Sequence, residues 1–532
     1  MASNSAYLNQ RSTTGTARRA RDVTPVSGIC PICIKECPFV CEVSLSAFRG
    51  REALYPDPDY FGYSTAASVK DYGLDWSHFN IQASVTEIEG IEADPDRALF
   101  PNVSVETSIG GTPVKLPIII GAFGSTDVAK NHWDSLAVGA ATTGIMIAIG
   151  ENVCGVDPES TITQGKVVRS PELDRRIRTF RNFWDGKYGD VIVQTNVEDQ
   201  RLGVDVYAIS KLEVNIIERK WGQGAKAIGG EIRVKTLERA LALKKRGYLV
   251  LPDPEDKIVQ DAFKQGLIHS FERHSRVGIP TRRDFLEDID WLRAQGAKRI
   301  GLKTGAYRPT DVAFTMKVAS QAKLNYLSFD GAGGGTGMSP VPMMDDMSIP
   351  TVNLEAMVLT CANILKKKGR YVPDLVMAGG FIVESQIFKA IALSNFGEKP
   401  LVKGVLMGRS PLTAAMKATY FAELSAQGKL PKGFQEKYGS KPESFSSSVP
   451  ELKATYKERF KEIPWGAVGL YSYLNGRVKI GLQQLMAGAR KWKLDLISRR
   501  ELMSLTERAT KVTGIPLVED VDREAMEKIL SD

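Results

Sequence analysis

Short apolar runs that end in glycine or a small polar residue, each followed by helix-forming sequence, recur through the middle of the chain. Leu116 to Phe123 (LPIIIGAF) turns at Gly124 and Ser125 into a segment with helix-start signals near Thr126. Gly144 to Asn152 (GIMIAIGEN) and Asp190 to Asn196 (DVIVQTN) repeat the pattern. Lys298 to Gly305 (KRIGLKTG), Tyr326 to Asp330 (YLSFD), Asp374 to Phe381 (DLVMAGGF) and Lys403 to Ser410 (KGVLMGRS) continue it. Unbroken apolar runs bounded by glycine read as strands buried on both faces. Strand, glycine turn and helix in succession predict the α/β class and a (β/α)8 TIM barrel, with ligand groups at the carboxyl ends of the strands. The charged segment before Gly222 reads as helical instead.

The flanks lack this alternation. Residues 1–27 are polar and aperiodic, a flexible leader or an arm on a partner. Residues 28–110 form a Cys-rich, irregular N-terminal region whose many aromatics suit a layer packed on a larger body. The barrel is expected over 111–425, and 426–532 as a polar excursion followed by a helical tail. Pro431 to Pro450 reads as an exposed excursion rather than an element. Gln483 to Trp492, Ser498 to Leu505 and Asp520 to Leu530 have helical spacing.

Two stretches suggest chemistry. Five glycines, Gly331, Gly333, Gly334, Gly335 and Gly337, follow the run ending at Asp330, so the backbone there can approach a flat or anionic ligand closely. A plain loop is the competing reading. Cys30, Cys33, Cys37 and Cys41 lie within twelve residues. Four thiolates so close suit a 4Fe–4S cluster, with zinc as the rival, because structural zinc sites usually draw on two separated pairs. Free or redox-active thiols are the third option.

At 532 residues the chain has room for a large barrel and accessory regions. A net charge of +8 without a basic stripe or known module gives no nucleic-acid role. No apolar stretch is long enough to span a membrane and no signal-peptide core opens the sequence, so a cytoplasmic protein is expected.

DGAGGGTGMSP, AGGFIVESQIFKAIAL and GVLMGRSPL, with LPIIIGAFGS, IGEN, WGQGAKAIGGEIRVK and GLKTG upstream in the same order, resemble the FMN-binding synthase domain of glutamate synthase. The likeness covers roughly Leu116 to Pro411. It implies FMN in the barrel and, as cofactor contacts, Gly121, Ala122, Phe123, Gly124, Gln194, Lys303, Asp330, Gly333, Gly334 and Gly335. Gly379, Gly380, Gly408 and Arg409 would hold the phosphate; Ser385 and Ser410 read as helix caps. Lys303, Glu151 and Lys226 become the candidate catalytic residues, Lys303 as a fixed cation where a reduced flavin gathers negative charge. The implied enzyme is a flavin oxidoreductase acting on CH-NH2 donors. It would reduce an imine made from a small 2-oxo acid and ammonia, with electrons from ferredoxin or a reductase subunit through an iron–sulfur cluster, and as an oligomer.

Departures from the family limit that reading. The family's cysteine triplet after the phosphate segment is missing, since no cysteine follows Cys361, so a cluster must use Cys30, Cys33, Cys37 and Cys41. An amino-terminal catalytic cysteine and a glutaminase-sized domain are also lacking, so glutamine hydrolysis is not expected. The family's Asp-Gly-Gly-Thr-Gly loop has glycine in place of its acid, leaving Asp330 as the stand-in. Amino-group or methylamine transfer onto glutamate, and a non-catalytic electron-transfer subunit, are the alternatives. Cys154 as a nucleophile and a histidine-based 2-hydroxy-acid oxidase fit less well: Cys154 reads as core, and none of His78, His132, His269 and His274 lies in a His-Gly-Ala-Arg context.

Overall fold

The structure, a computed structural model, describes residues 34–50, 70–222, 228, 230–335 and 339–531. Its centre is a closed barrel of eight parallel strands. In chain order these are β1 (Ile118–Phe123), β2 (Met146–Ile149), β3 (Val191–Thr195), β4 (Ile216–Lys220), β5 (Arg299–Gly305), β6 (Tyr326–Asp330), β7 (Asp374–Ala378) and β8 (Val402–Met407). Helices α1 (Asp127–Thr143), α2 (Pro171–Arg181), α3 (Val204–Leu212), α4 (Arg282–Ala294), α5 (Pro309–Gln321), α6 (Thr351–Lys367), α7 (Glu384–Leu393) and α8 (Arg409–Ala426) follow the strands in turn. The expected (β/α)8 barrel is therefore present. Thr126 caps α1 through its hydroxyl, as the sequence predicted.

β4 overturns the helical reading of the segment before Gly222. Its residues, IIERK, alternate between two surroundings that each need polar groups. Glu218 points into the barrel, where it accepts from Gln194 Nε2 at 2.5 Å and Tyr326 Oη at 3.0 Å. Arg219 points outward and is held by Asp205 on α3 and Asp288 on α4, each at 2.6 Å. Buried polar pairs gave this strand its charged appearance.

The barrel interior is filled by Ile119, Met146, Ala148, Ile192, Ile216, Tyr326, Val376 and Leu406. Gly301 makes room for the Tyr326 ring, which a Cβ there would meet at 2.1 Å. At the amino-terminal end a hairpin, Thr107–Ile109 with Thr112–Val114, adds Ile109 and Val114 to the same cluster. The Gly110 amide donates to Asp374 at the start of β7. The hairpin thus stoppers that end and leaves the carboxyl ends open.

After β4 the chain makes an accessory antiparallel sheet, with Phe271–His274 between Glu231–Val234 and Leu249–Leu251. Val234, Ala240, Leu243, Tyr248, Val250 and Phe271 form its own small core. The flanks also meet: Phe79–Ile81 pairs antiparallel with Leu502–Ser504. Ser498 to Leu505 is therefore a short 3-10 turn and a strand rather than a helix, because the edge of Phe79–Ile81 offers it a ladder. The excursion also differs from expectation. Pro431 to Pro450 contains helices Lys432–Tyr438 and Pro442–Phe445, with Phe434 stacked on Phe421 of α8, so its aromatics supply packing that its polar composition concealed. The closing helix runs over Arg523–Ser531. Among the described residues no helix is long and apolar enough to cross a membrane.

Candidate functional site

The carboxyl ends of the strands open into a cavity of about 780 Å³. Gly121, Ala122, Phe123 and Gly124 line it from β1, Glu151 from the end of β2, Lys303 from β5 and Asp330 from β6. Gly333, Gly334 and Gly335 follow, then Gly379 and Gly380 after β7 and Gly408 and Arg409 after β8. Thirteen of the fourteen predicted cofactor contacts therefore border one space. Gln194 does not. It is buried beneath, spent on Glu218, because its position in β3 turns the amide into the barrel. Lys226 and the two cysteines Cys30 and Cys33 lie outside the described residues.

Glycine is required at two points of this rim by geometry rather than composition. A Cβ on Gly334 would stand 2.4 Å from Asp330 Oδ1. Gly379 has φ +116°, and a Cβ there would stand 2.5 Å from Thr351 Oγ1 and 2.8 Å from Gly331 O. Thr351 ties the two loops together, its hydroxyl lying 2.8 Å from Ala332 O and 2.9 Å from Gly379 O. The Arg409 guanidinium donates to Gly333 O at 3.3 Å while lying exposed at the cavity edge. Loops after the seventh and eighth strands, bare of side chains and opening at a helix amino terminus, form a favourable place for an anion. Neither serine is a cap: Val383 and Gly408 occupy the cap positions, and Ser410 Oγ donates to Phe381 O.

Charge is concentrated on the opposite side. Lys303 Nζ lies 3.6 Å from Asp330 Oδ2 with both side chains buried. Lys220, at the end of β4, holds Glu151 at 2.7 Å. Burial alone would raise the Glu151 carboxyl, but the Lys220 ammonium outweighs it and keeps the group below the usual carboxylate range. Glu218 is the reverse case: burial pushes it up, and Lys303, Gln194 and Tyr326 offset this only in part. Two neighbouring carboxyls thus differ in their hold on a proton.

Several residues that line the cavity or lie beneath it escaped the sequence reading. Lys220 and Glu218 were hidden by the helical reading of β4. Trp221, edge-on to Phe285 at 4.8 Å, forms one wall. Tyr473 comes from the tail, where a π-helical stretch, Ser472–Lys479, brings it to the rim and its hydroxyl onto Ile382 O. Arg273 and Arg276 come from the accessory sheet and the loop after it. Pairing of distant segments brings these groups to the cavity; Trp221 opens the motif WGQGAKAIGGEIRVK, and no local motif marks the others.

The readings set aside earlier find no support in the site. Among the described residues no histidine borders the cavity. Cys154 is fully buried and its thiol is pushed up to about 12 by burial, so it stays protonated. Cys41 caps the helix Glu42–Arg49, with Ser44 Oγ at 3.6 Å from its sulfur. Among the described residues no three metal-ligating side chains converge.

Residues 268–403 match the family described as a conserved region in glutamate synthase. The archaeal glutamate synthase [NADPH] of Archaeoglobus fulgidus is 26% identical over 310 residues, covering 58% of this chain and 48% of that protein. The archaeal-type enzyme of Dehalococcoides mccartyi is 25% identical over 324 residues, covering 58% and 53%. The chain spans about half the length of the curated relatives it matches. Among solved structures, a flavocytochrome b2 mutant with pyruvate bound aligns at TM-score 0.45 and 14% identity over 83% of this chain and 80% of that one. The monotopic membrane protein (S)-mandelate dehydrogenase aligns at TM-score 0.45 and 13% identity, covering 85% and 96%. The family match falls on β5, β6 and β7, the strands that bring Lys303 and Asp330 to the cavity, so this part of the barrel is similar to the conserved region of glutamate synthase.

Proposed function

We propose that the cavity holds FMN and that the chain is an oxidoreductase of the glutamate synthase type. Its substrate is an imine formed from a small 2-oxo acid and ammonia, and its electrons come from ferredoxin or a reductase subunit. The observation that carries this reading is a glycine-walled rim at the carboxyl ends of the strands, with the buried Lys303 facing it. A cavity of about 780 Å³ lies within the range of cofactor sites.

Gly379, Gly380, Gly408 and Arg409 would hold the phosphate, and Gly121 to Gly124 with Gly333 to Gly335 would flank the ring system. FMN would supply two-electron transfer to the carbon–nitrogen double bond. Lys303 provides a fixed positive charge, and because its side chain is buried that charge is less screened than it would be in water. Glu151, kept ionised by Lys220, can accept hydrogen bonds from an amino group. Glu218, below the cavity floor, retains a proton more readily than an ordinary carboxyl.

Cys30, Cys33, Cys37 and Cys41 are proposed as the ligands of a 4Fe–4S cluster on their spacing. Anaerobic purification of the full chain, followed by mass measurement of released flavin and analysis of iron, zinc and sulfide, tests both assignments. Protein that binds no flavin defeats the proposal. Zinc without sulfide would replace the cluster and leave the flavin reading in place.

A further inference from the structure

The segment after the barrel reaches back to the glycine rim of the cavity. Its helix Trp465–Tyr471 packs between α1 and α8 at distances that glycines permit. A Cβ on Gly469 would stand 2.2 Å from Ala418 Cβ, and one on Gly139 would stand 2.6 Å from Leu470 Cδ2. The π-helical stretch Ser472–Lys479 follows directly, a kind of insertion that recurs at functional sites. Its side chains hold separate parts of the barrel. Asn475 Nδ2 donates to Thr143 Oγ1 on α1 at 3.1 Å, and the Arg477 guanidinium donates to Glu384 at the start of α7 at 2.9 and 3.1 Å. The Tyr473 hydroxyl donates to Ile382 O, in the loop between β7 and α7.

The carbonyls of that loop are covered by hydroxyls. Gly379 O accepts from Thr351 at 2.9 Å, Phe381 O from Ser410 at 3.2 Å, and Ile382 O from Tyr473. A trans peptide points its carbonyl and the following amide in opposite directions, so bonds to the carbonyls also orient the donors. Gln386 Oε1 takes the amides of Ile382 and Val383 at 2.7 and 3.1 Å. Among the described residues the amides of Gly380 and Phe381 have no hydrogen-bond partner, and both residues line the cavity with Gly379 and Ile382. An anion beside such a loop is drawn by its amides and repelled by any bare carbonyl oxygen.

We propose that Tyr473 is a positioning residue for the phosphate end of the flavin site: by covering Ile382 O it keeps a carbonyl oxygen from turning toward the anion, and so it favours FMN over a flavin without phosphate. The proposal deepens the flavin reading and rests on it. Tyr473 lies outside residues 268–403, so this contact is supplied by a part of the chain beyond the matched region.

The test is fluorescence titration of the flavin-stripped full chain with FMN and with riboflavin, on wild type, Tyr473→Phe and Asn475→Ala. Tyr473→Phe keeps the ring and removes only the hydroxyl. It should weaken FMN about threefold to tenfold and change riboflavin by less than about twofold. The phosphorus resonance of bound FMN should shift in the same variant. Asn475→Ala loosens the same segment at α1, away from the loop, and should keep the wild-type ratio of the two affinities and the wild-type resonance, whatever its melting temperature. Equal weakening of both flavins by Tyr473→Phe would reduce the side chain to packing and overturn the proposal. Unchanged FMN affinity and resonance in Tyr473→Phe, or the same change of ratio in Asn475→Ala, would overturn it too. Wild type that binds neither flavin defeats the flavin reading itself, and with it this proposal, before any variant is compared.

Discussion

Two glycines of the rim, Gly408 and Gly379, should respond to the same added methyl group in opposite ways. Gly408 has φ −108°, ordinary for any residue, and a Cβ there meets no atom within 4 Å although the residue borders the cavity. Gly408→Ala should therefore leave the flavin-free chain within about 0.5 kcal/mol of wild type. The methyl group would occupy space that the cofactor needs. Crowding of that kind costs about 1–3 kcal/mol, which is roughly five- to a hundredfold in affinity. Gly379 is the reverse. Alanine there carries about 1–3 kcal/mol of backbone strain at φ +116°, and about 1–3 kcal/mol more from contacts at 2.5 Å and 2.8 Å with Thr351 and Gly331. A total loss of about 2–6 kcal/mol should appear without any ligand. Thermal and urea unfolding of flavin-stripped protein measure the first quantity, and fluorescence titration with FMN the second. The reasoning fails if Gly408→Ala destabilises the stripped chain as much as Gly379→Ala does, or if Gly408→Ala binds FMN as wild type does.

Asp199 gives a pH test, because burial pushes its carboxyl up to about 7 although the Asn152 and Asn196 amides favour its ionised form. A raised folded value means the stabilising contribution is complete below the unfolded value of 3.8 and is lost as pH rises through about 7. Relative to wild type, Asp199→Asn should gain stability from about pH 4 to about pH 8, by roughly 4 kcal/mol at most, in urea unfolding across that range. Asp205→Ala should cost about 3–5 kcal/mol by leaving the buried Arg219 short of a partner, whereas Asp134→Ala, which breaks an exposed contact to Arg175, should stay within about 0.5 kcal/mol. Lys303→Met should retain flavin but lower reductant-driven turnover by about a hundredfold or more; unchanged turnover would remove Lys303 from the chemistry.

Seven of the eight strands could be read from the sequence because a strand covered on both faces is an unbroken apolar run, and that signal is local. The same locality exposed the glycine rim, because clustered glycines are visible in a few residues of sequence, whereas the contacts of Gly379 with Thr351 and Gly331 that exclude a side chain there appear only in the fold. β4 failed for the complementary reason. Its Glu218 and Arg219 are tolerated only because Tyr326, Gln194, Asp205 and Asp288 arrive from other elements to satisfy them. Ser498 to Leu505 likewise took strand form from a partner more than four hundred residues away.

Sequence alone determined the class of fold, the end of the barrel at which the cavity opens and the glycine content of its rim, since each follows from runs of a few residues. Tertiary structure decided which polar groups face one another, because Lys220 with Glu151, Lys303 with Asp330, and Tyr473 with Ile382 are meetings of segments apart in the chain. Backbone preference acts over neighbouring residues, whereas desolvation and charge pairing act through space, and only the folded chain fixes those distances.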